Sequence, residues 1–97
     1  MAYVIGRVKV KDYGQFEKAF AAKAEARKAK GCERVSIYRD PADRNSLLLY
    51  MKWATLDAAK GFFSNPELKQ YQKDVGGVVD GPHITFYEDS DVTRTNS

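Results

Sequence analysis

The chain predicts one small α+β domain with the element order βαββαβ. Three observations predict it. An alternating strand pattern opens the chain, an alanine-rich helical run follows, and Trp53 ends an apolar stretch that leads into Asn65-Pro66-Glu67-Leu68. A Gly76-Gly77 turn then precedes Pro82-His83-Ile84-Thr85-Phe86-Tyr87-Glu88, which reads as the closing strand.

In the opening strand, residues 3–10, Val4, Gly6, Val8 and Val10 share one face. Asp12 suits a helix cap. Tyr13, Phe16, Phe20, Ala24 and Arg27 recur at helical spacing, and the helix is expected to reach Lys30, with Gly31 stopping it. The second strand, 33–39, places Val35 and Ile37 opposite Ser36 and Tyr38. Asp40-Pro41-Ala42-Asp43-Arg44-Asn45 is a turn by composition.

The third strand, 46–53, is apolar on both faces: Leu47, Leu49, Met51 and Trp53 against Leu48, Tyr50 and Lys52. Thr55 caps a second helix carrying Leu56, Ala59 and Phe63 inward. Asn65-Pro66 restarts it, and Leu68 and Tyr71 continue the inner stripe to about Asp74. The fourth strand is expected over 83–88. The single domain is therefore assigned to residues 1–88, and 89–97 form a polar tail.

Composition excludes several classes. The 43% hydrophobic content suffices for a packed core, and no apolar run approaches a membrane span. The start Met1-Ala2-Tyr3-Val4 lacks a signal-peptide layout, so a cytoplasmic protein without membrane association is expected. One cysteine, Cys32, and one histidine, His83, leave neither a disulfide framework nor a clustered Cys/His zinc site. Much of the net +3 charge sits in Lys18, Lys23, Arg27, Lys28 and Lys30, which read as a solvated helix face.

Two helices covering one face of a four-stranded antiparallel sheet leave the other face bare. That face carries Ile5, Arg7, Tyr38, Tyr50 and Tyr87, too apolar and aromatic a set to leave in water. A homodimer packing two sheets face to face covers it. RNA-recognition motifs share the element order, but they carry a glycine- and aromatic-rich third strand for base stacking. Leu47-Leu48-Leu49-Tyr50-Met51-Lys52-Trp53 has no such motif, so nucleic acid is not the expected partner.

The aromatic strand ending in Trp53, the helix over 55–63, Ser64-Asn65-Pro66-Glu67-Leu68, and a last strand after Gly81-Pro82 resemble the antibiotic biosynthesis monooxygenase-like family. The resemblance covers about residues 2–88. It implies a ferredoxin-like unit that dimerises into an α+β barrel, with a pocket between sheet and helices in each subunit. It also implies cofactor-independent oxygenation of a small aromatic or quinol-like substrate. Relatives that degrade haem carry an Asn on the first strand and a His on the second helix. Gly6-Arg7 and Phe63 stand there instead, and no axial ligand for haem is evident.

In such a reaction the substrate supplies the electrons, so no cofactor is expected. The protein must ionise a phenol or quinol, stabilise the anion and exclude water. Trp53 is the candidate pocket wall and donor, Arg7 the oxyanion partner and His83 the proton-transfer group. Tyr38, Tyr50, Phe63 and Tyr87 are the candidate substrate-binding residues, with one pocket bounded by Trp53, Tyr50, Phe63 and His83. Each has a plainer reading: Trp53 as core, the tyrosines as packing with hydroxyls at the rim, Arg7 at the surface or dimer seam, His83 as a turn residue. The alternative function is a non-catalytic binding or structural barrel filled by Leu47, Leu48, Leu49 and Met51.

Overall fold

Alternation along the first strand organises the sheet. In β1 (Ala2–Val10), Ala2, Val4, Gly6, Val8 and Val10 are buried, and Tyr3, Ile5, Arg7 and Lys9 turn to the opposite face. The computed structural model describes residues 1–90; segment 91–97, most of the expected polar tail, lies outside the described residues. β1 is followed by α1 (Tyr13–Ala22), α2 (Ala24–Lys30), β2 (Cys32–Arg39), β3 (Ser46–Trp53), α3 (Leu56–Phe63), α4 (Pro66–Asp74) and β4 (Val78–Glu88). The strands form one antiparallel sheet in the order β2-β3-β1-β4, the ferredoxin-like arrangement.

Register sorts every strand onto two faces. Val4 pairs with Met51 and Phe86, while Val35 pairs with Met51 and Ile37 with Leu49. Together with Leu47 and Trp53, these residues form the face beneath the helices. On the other face, Ile5 pairs with Tyr50 and Thr85, Tyr50 with Ser36, and Arg7 with Leu48 and His83. That face has no covering element among the described residues, and Tyr38 and Tyr87 are 56% and 52% exposed on it.

The helices begin where side-chain oxygens satisfy free backbone N–H groups. Asp12 accepts from Gln15 N at 3.1 Å, Thr55 from Ala58 N at 3.1 Å, and Asn65 from Glu67 N at 2.9 Å. The continuous first helix expected to Lys30 is instead two helices. The carbonyl of Phe20 accepts the Lys23 N–H at 3.2 Å and the Arg27 guanidinium at 2.7 Å, which tightens the chain at Lys23. Gly31 ends α2 in the left-handed region, with φ 113°.

β4 starts five residues earlier than the expected His83. Sequence reading treats Gly81-Pro82 as a break, but β4 is an edge strand, where a proline without an N–H is tolerated. The register with β1 shifts between Arg7 and Val10, and Gly81 sits opposite that irregularity with φ 92°. A Cβ there would lie 2.6 Å from the Arg7 carbonyl, so this bend requires glycine.

Trp53 is fully buried, with ring centroids of Phe62 and Phe63 at 5.2 and 6.0 Å. Trp53→Ala is expected to cost about 3–5 kcal/mol in denaturant unfolding, the range for large aromatics removed from a packed interior. A cost below about 1 kcal/mol would show that the indole does not support the core.

Candidate functional site

A cavity of about 150 Å³ lies between the sheet and the helices. Val8, Leu49, Met51 and Ile84 form its floor, and Phe16, Phe20, Phe62, Phe63 and Leu68 its walls. Three polar residues reach it: Arg27 from α2, and Lys69 and Gln72 from α4. Among the described residues neither a carboxylate nor an imidazole lines it.

Arg27 is 6% exposed, an unusual depth for an arginine without an acid. Its guanidinium donates to Phe20 O at 2.7 Å and lies over the Phe20 ring, 3.7 Å from the centroid. No carboxylate comes within 4.0 Å of it among the described residues. Burial pushes its pKa below the usual arginine value, yet a guanidinium retains its charge at neutral pH. Part of its role is structural, since a cation at the end of α1 complements the unpaired carbonyls there.

Gln72 is 8% exposed, and its Oε1 is buried without a hydrogen-bond partner. Such an orphan typically costs about 1–3 kcal/mol. α4 itself is anchored by Tyr71, whose hydroxyl donates to Ala19 O at 3.1 Å while the Lys23 ammonium lies over its ring. Gln15 Nε2 also donates to Val75 O at 3.0 Å. The helix that carries Gln72 is therefore tied to α1 from two sides.

The sequence candidates divide across the sheet. Phe63 lines the cavity. Trp53 lies on the same side, one layer behind Met51, Phe62 and Phe63, and its Nε1–H has no partner. Arg7, Tyr38, Tyr50, Tyr87 and His83 occupy the opposite face, as their register with one another requires. A single pocket bounded by Trp53, Tyr50, Phe63 and His83 therefore does not form within one chain. Tyr50 and Trp53 are three positions apart on one strand, and an odd separation puts them on opposite faces.

His83 is exposed, and its Nε2 lies 3.1 Å from Asp80 Oδ1. Tyr50 stacks at 6.3 Å on Tyr3, whose hydroxyl donates to Asp89 at 2.7 Å and holds that carboxyl below its usual range. Cys32 is half-buried and donates to Arg34 O at 3.6 Å; burial pushes its thiol pKa up. Among the described residues no group of three or more His, Cys, Asp or Glu is placed to hold a metal ion, and no helix is long and apolar enough to cross a membrane.

Sequence reading assigned Arg27 to a solvated face and passed over Gln72. The signal was present: Arg27 continues the Phe16, Phe20, Ala24 stripe, and Gln72 lies four residues after Leu68 on the inner face of α4. A polar residue set within an apolar stripe marks a buried polar group.

The ferredoxin-like sheet, with helices on one face and a small polar-tipped cavity beneath them, defines a class of compact α+β domains. Within that class, the model of the antibiotic biosynthesis monooxygenase family matches residues 1–74, and the chain belongs to this family. No curated protein sequence matches it. Among solved structures it resembles SnoaB, a cofactor-independent oxygenase from Streptomyces nogalater, at 17% identity over 94% of each chain with a TM-score of 0.73. A Deinococcus radiodurans protein assigned as an antibiotic biosynthesis monooxygenase shares 19% identity over 100% of both chains, with TM-score 0.73. A conserved protein from Methanosarcina mazei shares 14% over 92% of each, with TM-score 0.71. At these identities the likeness establishes the fold.

The orphaned amide makes a stability prediction. Gln72→Met keeps the volume while removing the unpaired oxygen, and is expected to stabilise the apo protein by about 1 kcal/mol in thermal or denaturant unfolding. A loss of more than about 1 kcal/mol would mean that the amide is hydrogen-bonded in solution.

Proposed function

We propose that this protein binds a small aromatic or quinol-like molecule in the cavity beneath its helices and oxygenates it without a cofactor, acting as a homodimeric α+β barrel. The observation that carries this reading is the buried Arg27 guanidinium, with no acid beside it among the described residues, in a cavity whose lining apart from Lys69 and Gln72 is aromatic and aliphatic. Family membership and the likeness to a cofactor-independent oxygenase support it.

The chemistry follows from the lining. A phenol reacting with O2 to give a quinone and water balances without an outside reductant, because the ring and its hydroxyl supply the electrons and both hydrogens of the water. The slow step is reached only from the ionised ring. No carboxylate or imidazole stands in the cavity to take the proton. We therefore assign ionisation to the field of Arg27, which favours the anion as any nearby cation does, and assign exclusion of water to Phe16, Phe20, Phe62 and Phe63. Trp53 backs that aromatic wall. Arg7, Tyr38, Tyr50, Tyr87 and His83 are assigned to the seam between two sheets, where the rings cover one another.

The second reading, a non-catalytic binding or structural barrel, is favoured by one observation. The cavity is smaller than the roughly 300 Å³ at which ligand pockets usually begin. Oxygen uptake separates the two. With a panel of phenols and quinols under 18O2, the oxygenase reading predicts one labelled atom in the product, formed at a rate proportional to protein. Arg27→Gln is expected to lower kcat/KM by at least about tenfold. No incorporation with any member of the panel would leave the binding reading. The seam is tested separately: sedimentation at micromolar concentration is expected to show a dimer that Ile5→Asp converts to monomer, and a wild-type monomer would remove the barrel.

A further inference from the structure

A buried guanidinium in a largely apolar cavity calls for an anion, and the cavity's size restricts what that anion is. Arg27 offers a planar, charged set of donors of which the Phe20 carbonyl takes one. Gln72 Oε1 packs against Gly76 and is sealed from the cavity, so it is no part of the site. Apart from Arg27, Lys69 and Gln72, the lining is aromatic and aliphatic. An apolar cavity of about 150 Å³ is known to hold a benzene molecule, so this one has room for a single ring. A fused three-ring skeleton does not enter unless Phe62, Phe63 or Leu68 moves.

Resting on the binding reading above, we propose that the cavity is built for a monocyclic aromatic anion. Its ionised oxygens sit on Arg27, and its ring lies among Phe16, Phe62 and Phe63. The alternative location for the charge is outside the cavity. Arg27 also borders a shallow open groove with Lys28, Gly31 and Cys32, where an anion would be held by surface cations. That groove has no enclosing rings, so it selects charge without selecting shape. The inner cavity selects both.

Isothermal titration of the full chain at neutral pH tests this with 4-hydroxybenzoate, phenol and 1,8-dihydroxyanthrone as probes. One 4-hydroxybenzoate per chain is expected, bound at least about tenfold tighter than phenol, as a desolvated charge-assisted contact gives. The dihydroxyanthrone should bind more weakly than 4-hydroxybenzoate. Arg27→Gln should weaken 4-hydroxybenzoate about tenfold or more, and Lys28→Ala should leave it unchanged.

Equal binding of phenol and 4-hydroxybenzoate overturns the proposal. So does a loss confined to Lys28→Ala, or tighter binding of the three-ring probe. Should Arg27→Gln fail to fold, the wild-type probe ratio decides the matter. The outcome is separable from the oxygenase reading. Binding through Arg27 without oxygen uptake by any phenol retains the site and removes the reaction. Oxygen uptake on the dihydroxyanthrone with no 4-hydroxybenzoate binding does the reverse.

Discussion

Successive side chains of a strand point to opposite faces, and in this molecule that alternation decides which residues can meet. β1 and β3 lie at the centre of the sheet, so their two faces set the character of everything packed on them. Val4, Val8, Leu49 and Met51 face the helices and enclose the cavity or its surroundings. Ile5, Arg7, Leu48 and Tyr50 face away, into a surface with no covering element among the described residues. The proposed chemistry under the helices and the proposed association on the open face are thus separated by the thickness of one sheet. A shift of one residue in register would exchange the two sets and destroy both.

On the helix side, the energetics single out Arg27 and Gln72. A core made only of the surrounding phenylalanines and leucines would avoid burying a charge and leaving an amide oxygen unpaired. Arg27 recovers some of that cost through Phe20, whose carbonyl it bonds and whose ring it covers, and it thereby holds the junction between α1 and α2. Gln72 recovers nothing visible among the described residues. Local violations of the rule that buried polar groups are satisfied concentrate where a ligand completes the structure.

The fold was legible because its signals are local. Alternation in β1, the paired faces of β3, the Asp12, Thr55 and Asn65 caps and the Gly31 stop each need only a few neighbouring residues to read. The early start of β4 was hidden, since tolerance of Pro82 depends on its strand lying at the sheet edge. The break at Lys23 was hidden for a similar reason, because it depends on a side chain seven residues from the carbonyl it bonds. The site was less legible than the fold. Histidine, tryptophan and tyrosine attract attention by their chemistry, whereas Arg27 lay among four lysines that do face water or cover surface rings. What distinguishes it is phase within the helix, a weaker cue than residue type. Phe63, chosen for its position on the inner stripe of α3, does line the cavity.

The most direct test of the account is a crystal structure of the protein soaked with 4-hydroxybenzoate. The account predicts the ring in the cavity beneath α1, α3 and α4, with carboxylate oxygens about 3 Å from the Arg27 guanidinium. A ligand seated on the open sheet face beside Arg7 and Tyr50, with the helix-side cavity empty, would contradict it.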